Sequence, residues 1–301
     1  MIFKDKFVEK YRKLIDFDNY KKSVLSKYVR KSVRVNTLHF SVGEVKTILE
    51  RSGWNLERIP WCNEGFFIEH ESGRRDIGNT REHREGKIFS QGAPSMIPAQ
   101  LMNLTAGFNI LDLCAAPGGK THHIACLMKN KGRIVANDPS SFRRKILKIN
   151  MERCGVENVK FDSQKGEDYE TSEMFNSILV DAPCTGSGLI KGKIARSKKL
   201  LKEWNPKITD RYARLQMKIL KNCSRYLKKN GRIVYVTCSM EPEEDEILLE
   251  KFLEENKNFK LVKPKRIKGH IIKSSLKDYI KIWPHYYDTH GLFIGVIEKT
   301  H

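Results

Sequence analysis

Alternation between strand and helix patterns is the feature that most restricts the fold of this 301-residue chain. It begins near Ile88, and each short, β-branched apolar run is followed by a longer stretch with helical periodicity. Repeated βα units predict an α/β fold, with a mostly parallel sheet that carries helices on both faces. The predicted strands are 109–114, 133–138, 158–162, 177–181, 231–237 and 291–297, and the predicted helices are 120–128, 141–154, 210–228 and 243–256.

The first 85 residues follow a different pattern. Residues 3–28 form a charged segment whose helical spacing places four hydrophobic side chains on one face: Phe7, Tyr11, Leu14 and Ile15. A second helix begins after Ser41, the expected cap, because a glutamate stands at the capping-box position. Strand patterns occur at two places, 32–38 and 66–69. We predict a small α+β module over residues 1–85 and the α/β domain over residues 86–301.

Basic residues dominate the composition. The 56 lysines and arginines outnumber the 36 aspartates and glutamates, which gives a formal net charge of +20. This excess favours a nucleic acid as partner, because each neutralised phosphate releases counterions. Three stretches, 4–34, 191–218 and 260–281, either follow phosphates or are ordinary solvated faces. We favour the middle stretch as a contact surface because it lies beside Cys184.

The seven cysteines are widely spread and form no CxxC pair, so the spacing of a zinc ribbon is absent and no metal is predicted. This usage is typical of a reduced, cytoplasmic protein. No apolar run has the length of a signal peptide or a membrane span, so no membrane partner is expected. Four of the cysteines are expected to be small buried hydrophobic residues: Cys62, Cys126, Cys154 and Cys223.

A glycine-containing loop, residues 111–120, joins the first strand of the α/β domain to the helix after it. Open α/β sheets bind ligands at this end of their strands, and Gly118 and Gly119 permit close approach of the backbone. The loop matches neither the dinucleotide nor the P-loop pattern. Asp138 and Asp162 end the next two strands, where they suit a ribose diol and an adenine amino group, or else cap helices and turns.

Cys184 follows the fourth strand of the domain, in Asp-Ala-Pro-Cys, and Cys238 follows the fifth, in Thr-Cys-Ser. Both are expected at the same sheet edge as the loop at 111–120. A thiolate at such an edge suits addition to C6 of a pyrimidine, because it is a strong nucleophile and a tolerable leaving group. The addition makes C5 electron-rich enough to accept a methyl group. Chemistry alone does not choose between the two cysteines.

From about residue 30 to residue 298 the chain resembles the Fmu/Sun-type RNA cytosine-5 methyltransferases, an NSUN- and RsmB-like family. The matching segments are 34–38, 91–96, 111–120, 181–188, 235–239 with 243–246, 284–285 and 291–294. The pair of cysteines distinguishes this family from the DNA cytosine methyltransferases, which have only the Pro-Cys cysteine. The segment 189–199 departs from the family's Arg-Arg-Asn/His-Pro form, which affects base and RNA contacts beside Cys184.

The resemblance implies a Rossmann-like methyltransferase fold with an amino-terminal RNA-recognition module, and it implies roles for individual residues. Cys238 attacks C6, Cys184 assists breakdown of the covalent adduct, Asp181 contacts the cytosine at N3 or its amino group, and Lys120 lies near the base and the methyl donor. The residues implied around S-adenosyl-L-methionine are Cys114, Ala115, Ala116, Pro117, Gly118, Gly119, Lys120, Asp138, Arg143, Asp162 and Asp181.

Three alternatives stay open at the level of function. A DNA cytosine-5 methyltransferase would use Cys184 as nucleophile, and an inactive RNA-binding assembly factor would need neither cysteine. Within the RNA enzymes, the compact chain favours transfer RNA, as in the archaeal-type enzymes, over ribosomal RNA. A monomer is expected.

Overall fold

The computed structural model describes residues 3–26, 29–191, 194–264 and 278–300, and two β-sheets organise them. The first is antiparallel, with the strand order β2-β3-β1-β4. Its strands are β1 (Lys31–Val35), β2 (Trp54–Arg58), β3 (Gly65–His70) and β4 (Ile88–Ser90). The helices of this region are α1 (Asp5–Arg12), α2 (Phe17–Ser26), α3 (Val42–Arg51) and α4 (Arg81–Arg84).

The segment predicted as one helical stretch at 3–28 is two helices, α1 and α2. The Asp16 side chain accepts a hydrogen bond from the backbone N–H of Asn19 at 3.2 Å, which is how an N-cap starts a new helix. Phe7 and Tyr11 are buried as expected, but Leu14 lies in the break and is 37% exposed, so its predicted place on the apolar face is wrong. The two helices pack their aromatic side chains against Trp204 and Trp283 of the second domain.

The helix α3 matches its prediction. Ser41 caps it, with the Oγ atom accepting from the N–H of Glu44 at 3.2 Å. The strand pattern at 66–69 corresponds to β3, but β2 and β4 were not recognised as part of this sheet. The strand β4 pairs antiparallel with β1, so the alternation assigned from Ile88 onward begins one strand too early, and a division after residue 85 cuts the first sheet before its last strand.

The second sheet has the order β10-β12-β9-β8-β5-β6-β7, and β11 pairs with β12. Its strands are β5 (Asn109–Asp112), β6 (Arg133–Asn137), β7 (Val159–Asp162), β8 (Phe175–Asp181), β9 (Leu227–Thr237), β10 (Phe259–Leu261), β11 (Tyr279–Ile282) and β12 (Leu292–Lys299). Five neighbouring strands of this sheet are parallel, namely β7, β6, β5, β8 and β9. The strands β10, β11 and β12 join antiparallel. The mostly parallel sheet is therefore confirmed.

Helices cover both faces of this sheet. The helices of this part of the chain are α5 (Pro98–Leu101), α6 (Gly119–Met128), α7 (Ser141–Arg153), α8 (Ile194–Glu203), α9 (Pro206–Ser224), α10 (Glu246–Glu255) and α11 (Pro284–Tyr287). Neighbouring residues of β5 belong to different cores: Ile110 packs in the cluster with α5, α6 and α7, and Leu111 packs in the cluster with α9 and α10. The helix α9 starts earlier than predicted because Asn205 caps it and proline occupies its first position.

The face of the first sheet that does not carry α3 packs against α6. Arg34 projects from that face and is fully buried. Its guanidinium donates to the Gln91 side chain at 2.9 Å and to the Gly119 carbonyl at 3.1 Å, and its Nη2 atom lies 2.9 Å from Nδ1 of His122. Phe89, on β4, stacks on His122 with ring centroids 5.3 Å apart. The module is therefore joined to the helix that begins at the glycine-containing loop.

The four cysteines expected to be small buried residues, Cys62, Cys126, Cys154 and Cys223, are all buried, which confirms that prediction. Within the described ranges, no helix has the length and apolar character needed to cross a membrane.

Candidate active site

The glycine-containing loop lies at the carboxyl ends of the parallel strands, between β5 and α6. Gly118 precedes α6 with φ of +103°, and a Cβ atom there would lie 2.6 Å from the Met151 side chain, so both the conformation and the space require glycine. A cavity of about 180 Å³ opens beside the loop. It is lined by Phe89, Ser90, Gln91, Gly92, Ser95, Asp112, Cys114, Ala115, Ala116, Pro117, Gly119, Lys120 and Asp181.

Asp112 is a cavity residue to which the sequence assigned no role. Thr121 donates a hydrogen bond to its Oδ2 atom at 2.7 Å, and its buried Oδ1 atom has no hydrogen-bond partner among the described residues. Burial raises the pKa of Asp112 to about 7, against the opposing effect of the Thr121 hydrogen bond. The signal in the sequence was its position, because an acidic residue ends the central strand.

Asp138, Arg143 and Asp162 lie outside the lining of this cavity. A carboxylate oxygen of buried Asp138 lies 3.0 Å from the Arg143 guanidinium, which also donates to the Ala116 carbonyl at 2.5 Å. Arg143 thus connects the end of β6 to the glycine-containing loop. Asp162 accepts hydrogen bonds from the Ser163 backbone at 2.7 Å and the Gln164 side chain at 3.1 Å. These local bonds are typical of an aspartate in a turn, which the sequence offered as the alternative to an adenine contact.

Lys120 and Asp181 form an ion pair at the boundary between the cavity and the cysteine loops. The Nζ atom of Lys120 donates to Oδ2 of Asp181 at 2.7 Å. Burial lowers the pKa of Lys120, but the charge and hydrogen bond of Asp181 outweigh it, and the net pKa is raised. Lys120 therefore stays a cation and holds the Asp181 side chain in place at the end of β8.

The structure brings the two candidate cysteines into contact. The strands β8 and β9 are parallel neighbours, and the Sγ atoms of Cys184 and Cys238, in the loops after them, are 2.8 Å apart. The Gly188 N–H donates to the Cys238 carbonyl at 3.0 Å, and a Cβ atom on Gly188 would lie 2.8 Å from that oxygen. The hydrogen bond to Cys238, burial, the charge of Cys238 and the charge of Glu244 all raise the pKa of Cys184.

Glu244, buried between β9 and α10, is a second residue to which the sequence assigned no role. Its carboxylate accepts from the Thr185 N–H at 3.0 Å, from the Thr185 hydroxyl, from the Ser239 hydroxyl at 2.8 Å and from the Gln216 amide at 2.8 Å. The Gln216 amide also donates to the Pro183 carbonyl at 2.9 Å. The 243–246 segment matched the family pattern, but only the structure gives its second residue this position.

Several cations in the three basic stretches are not available to phosphates. Arg34 is buried as described above, and Lys191 is fully buried and donates to Asp288 at 2.6 Å and Ser23 at 2.8 Å. Lys281 is 4% exposed and lies 3.0 Å from Asp245. Arg211, Arg214 and Lys218 are exposed on α9. The predictions for residues 27–28, 192–193 and 265–277 of these stretches lie outside the described residues.

Three aromatic side chains could stack on a base, but the sequence favours core packing for each. Tyr235, Phe89 and Trp283 are all buried in hydrophobic clusters, and the Tyr235 hydroxyl donates to the Glu244 carbonyl at 2.7 Å. Core packing is confirmed for each.

Comparison with known proteins gives matches along the whole chain. Residues 99–298 match the family model of 16S rRNA methyltransferase RsmB/F, and residues 3–93 match the N-terminal domain of 16S rRNA methyltransferase RsmF. Ribosomal RNA small subunit methyltransferase F of Erwinia tasmaniensis is 32% identical over 100% of this chain and 64% of its own length, and that of Aeromonas salmonicida is 33% identical over 91% and 58%. The chain thus spans about three fifths of the length of these curated relatives.

Solved structures agree over nearly the full chain. The crystal structure of PH0851 has a TM-score of 0.89 and 31% identity, and the match covers 99% of this chain and 66% of that one. A methyltransferase homolog protein from Pyrococcus horikoshii has a TM-score of 0.77 and 30% identity, covering 98% of this chain and 99% of that one. The fold is the Rossmann-like methyltransferase fold with an amino-terminal domain, as predicted.

Proposed function

The chain belongs to the RsmB/F family of 16S rRNA methyltransferases, and from that premise we propose that it methylates C5 of a cytosine in RNA through a covalent bond between Cys238 and C6. The observation that carries the proposal is the contact of the two sulfur atoms, 2.8 Å apart, at the sheet edge that also holds the cavity beside residues 111–120. A single thiol is enough for addition to a pyrimidine. Two thiols in contact allow one sulfur atom to attack C6 and the other to donate a proton when the adduct breaks down.

The residues around the cavity suit S-adenosyl-L-methionine. Asp112 offers a buried carboxylate oxygen without a partner among the described residues, which suits an ammonium group. Asp138, held by Arg143, ends the neighbouring strand, where acidic residues commonly bind a ribose diol. We assign to the same site the loop from Cys114 to Lys120, together with Asp162 and Asp181. When bound, the cofactor supplies an electrophilic methyl group.

The proposed reaction begins with Cys238. Its thiolate forms a bond to C6, and the electron pair displaced from the C5–C6 double bond makes C5 nucleophilic. After methyl transfer to C5, the C5 proton passes to solvent, the double bond re-forms and the C6–S bond breaks, returning the electron pair to Cys238. The S–H group of Cys184 lies close enough to donate to the departing sulfur. Cys184 therefore assists breakdown of the adduct.

Asp181 and Lys120 act on the base rather than on the sulfur in this proposal. Asp181 accepts from the cytosine at N3–H or at its amino group and thereby stabilises the N3-protonated base, whose positive charge withdraws electrons from the ring and favours attack at C6. The ion pair with Lys120 holds the Asp181 carboxylate in position beside the cavity. Neutralising Lys120 would leave that carboxylate half-buried without its partner.

The choice of nucleophile separates this proposal from the DNA methyltransferase alternative, in which Cys184 attacks. A Cys184→Ala variant that keeps forming the RNA adduct, beside a Cys238→Ala variant that does not, excludes the alternative. The inactive assembly factor would bind RNA but no cofactor, so calorimetry with S-adenosyl-L-methionine tests it.

For the substrate, we propose small-subunit ribosomal RNA, since the curated relatives are named for it. The preference for transfer RNA stays a prediction. Bisulfite sequencing of RNA from cells with and without the gene tests both: loss of 5-methylcytosine from ribosomal RNA supports the proposal, and loss from transfer RNA alone overturns it.

A further inference from the structure

We propose that Glu244 is the positioning residue that fixes the two cysteine loops against each other and keeps the shared proton on Cys184. The inference rests on the proposed function, because it explains how two adjacent thiols take different parts in one reaction. It assigns no contact between Glu244 and RNA or cofactor.

The first argument is geometric. Glu244 accepts hydrogen bonds from Thr185 and Ser239, the residues that directly follow Cys184 and Cys238. Through Gln216 it is also connected to the Pro183 carbonyl, on the other side of Cys184. One carboxylate therefore holds both loops at the positions next to their reactive side chains, and the 2.8 Å sulfur contact depends on it.

The second argument concerns charge. The Oε2 atom of Glu244 accepts from the Thr185 N–H and the Gln216 amide, two groups that can only donate, and Oε1 accepts from two hydroxyls. Burial raises the pKa of Glu244, and the hydrogen bonds from Thr185, Ser239 and Gln216 reduce that rise without cancelling it. Four donors around the carboxylate fit its ionised form. A negative charge beside Cys184 disfavours a second one there, and Glu244 is among the groups that raise the pKa of Cys184. The proton stays on Cys184, and its S–H donates to Cys238.

A matched control lies three residues earlier in the chain. Glu241 is also a fully buried glutamate in the segment between Cys238 and α10. Its carboxylate accepts from Tyr11 at 2.7 Å, Trp204 at 2.8 Å and Lys10 at 2.5 Å, so it anchors the amino-terminal helices. Glu241→Gln removes a buried charge of the same kind without removing a bond to either cysteine loop.

The first experiment measures thiol ionisation in the full chain without RNA. Iodoacetamide alkylation of Cys184 is followed by peptide mass spectrometry across a pH series, in a Cys238→Ala background with and without Glu244→Gln. We expect Glu244→Gln to move the alkylation profile to lower pH, and Glu241→Gln to leave it in place. Coincident profiles for Glu244→Gln and its parent would overturn the role of the charge.

The second experiment measures the positions of the loops. Diamide, a two-electron oxidant, takes both thiol hydrogens and leaves a Cys184–Cys238 disulfide, which mass spectrometry detects. Because small displacements of reacting atoms cost large factors in rate, we expect Glu244→Ala to slow this step by about ten-fold or more, and Glu241→Gln to leave it unchanged. An unchanged rate in a Glu244→Ala protein with native circular dichroism contradicts the positioning role. If Glu244→Ala does not fold, Glu244→Gln serves in the same assay.

Methylation assays then connect the inference to the reaction. We expect Glu244→Gln to lower kcat by about ten-fold to a hundred-fold while the KM for RNA stays near that of the native chain, because the proton-transfer geometry changes and the binding surface does not. A rise in KM alone would contradict the inference. The thiol assays need no RNA, so a chain that passes them but methylates no RNA fails the proposed function only.

Discussion

The two cysteine loops end neighbouring strands of one sheet and carry the same reactive group, but they are held differently. The Cys238 loop is bonded to the segment that leads into α10: Thr237 donates to Asp245 at 2.6 Å, and Ser239 donates to Glu244 at 2.8 Å. The Cys184 loop is held through Glu244, Gln216 and the backbone contact of Gly188 with Cys238. The Cys238 loop is thus bonded to the segment that follows it in the chain, and the Cys184 loop is bonded to α9, to Glu244 and to the Cys238 loop itself.

This difference is what chemistry alone could not supply from the sequence. Both cysteines follow a strand, and both were equally good nucleophiles until the family resemblance chose Cys238. Hydrogen bonds hold both loops in the structure, so the choice of Cys238 rests on the family resemblance.

The largest expected effect comes from removing Cys238, because the proposed difference between the two cysteine loops would be wrong if methylation did not need this residue. We expect Cys238→Ala to lower methylation at least about 10⁴-fold, since loss of the nucleophile removes the covalent route. Transfer of labelled methyl groups to RNA measures the loss. Cys223→Ala, a buried cysteine of α9, is the control and should retain activity. A Cys238→Ala enzyme that methylates RNA within ten-fold of the native rate would show that the nucleophile lies in the other loop.

A smaller loss is expected from the assisting loop. Cys184→Ala should form the bond to C6 but release product about 10²-fold to 10⁴-fold more slowly, because the departing sulfur lacks a donor. The covalent RNA adduct on Cys238 then accumulates and migrates slowly on a denaturing gel. The double variant Cys184→Ala, Cys238→Ala is the control and should give no such band. Absence of the band from the single variant, with methylation-competent RNA, would contradict the assigned roles.

Pushing the loops apart tests their contact without touching either sulfur. In Gly188→Ala the new Cβ atom would meet the Cys238 carbonyl at 2.8 Å and the Gly291 Cα atom at 2.9 Å, and both are backbone atoms that cannot rotate away. We expect the free energy of unfolding to fall by about 1–3 kcal/mol, as for other overpacked sites. Urea unfolding measures it. Gly43→Ala, where nothing lies within 4 Å, is the control and should cause no loss.

The smallest expected effect is on the pH dependence of the free energy of unfolding. It comes from Asp112, which lines the cavity and does not belong to either cysteine loop. Asp112 has an ordinary pKa of 3.8, which folding raises to about 7, so the folded chain binds this proton more tightly than the unfolded chain. Its contribution to the free energy of unfolding therefore decreases as pH rises between these two values. Asp112→Asn should flatten that part of the curve, measured by urea unfolding without cofactor. An unchanged slope would show that another group causes it.

Much of the second sheet was predictable because parallel buried strands give continuous apolar runs. The strands β5 to β9, and with them the position of the glycine-containing loop, were predictable in this way. The short strands β10 and β11 were missed because three or four residues at an antiparallel edge give no clear periodicity. The break between α1 and α2 was missed because Asp16, which caps α2, resembles the other charged residues of that segment.

The site was predictable where residues end strands and unpredictable where they act through other residues. Cys184, Cys238 and Asp181 follow or end strands, so topology alone gathers them. Glu244 and Gln216 come from a loop and a helix that tertiary packing brings together, and no spacing in the sequence announces their contact. The net charge does not show which basic residues are available to phosphates: Lys191 and Arg34 contribute to it, but both are buried and hydrogen-bonded.

Arg34 also has a consequence for protein engineering. It crosses from the first sheet to the carbonyl of Gly119, at the start of the helix that borders the cavity beside the glycine-containing loop. The amino-terminal module is therefore not an interchangeable unit, since a module grafted from a relative would need its own partners at Gln91, Gly119 and His122. A chimera designed with the junction after Met128, so that β4, the loop and α6 travel together, keeps this contact intact.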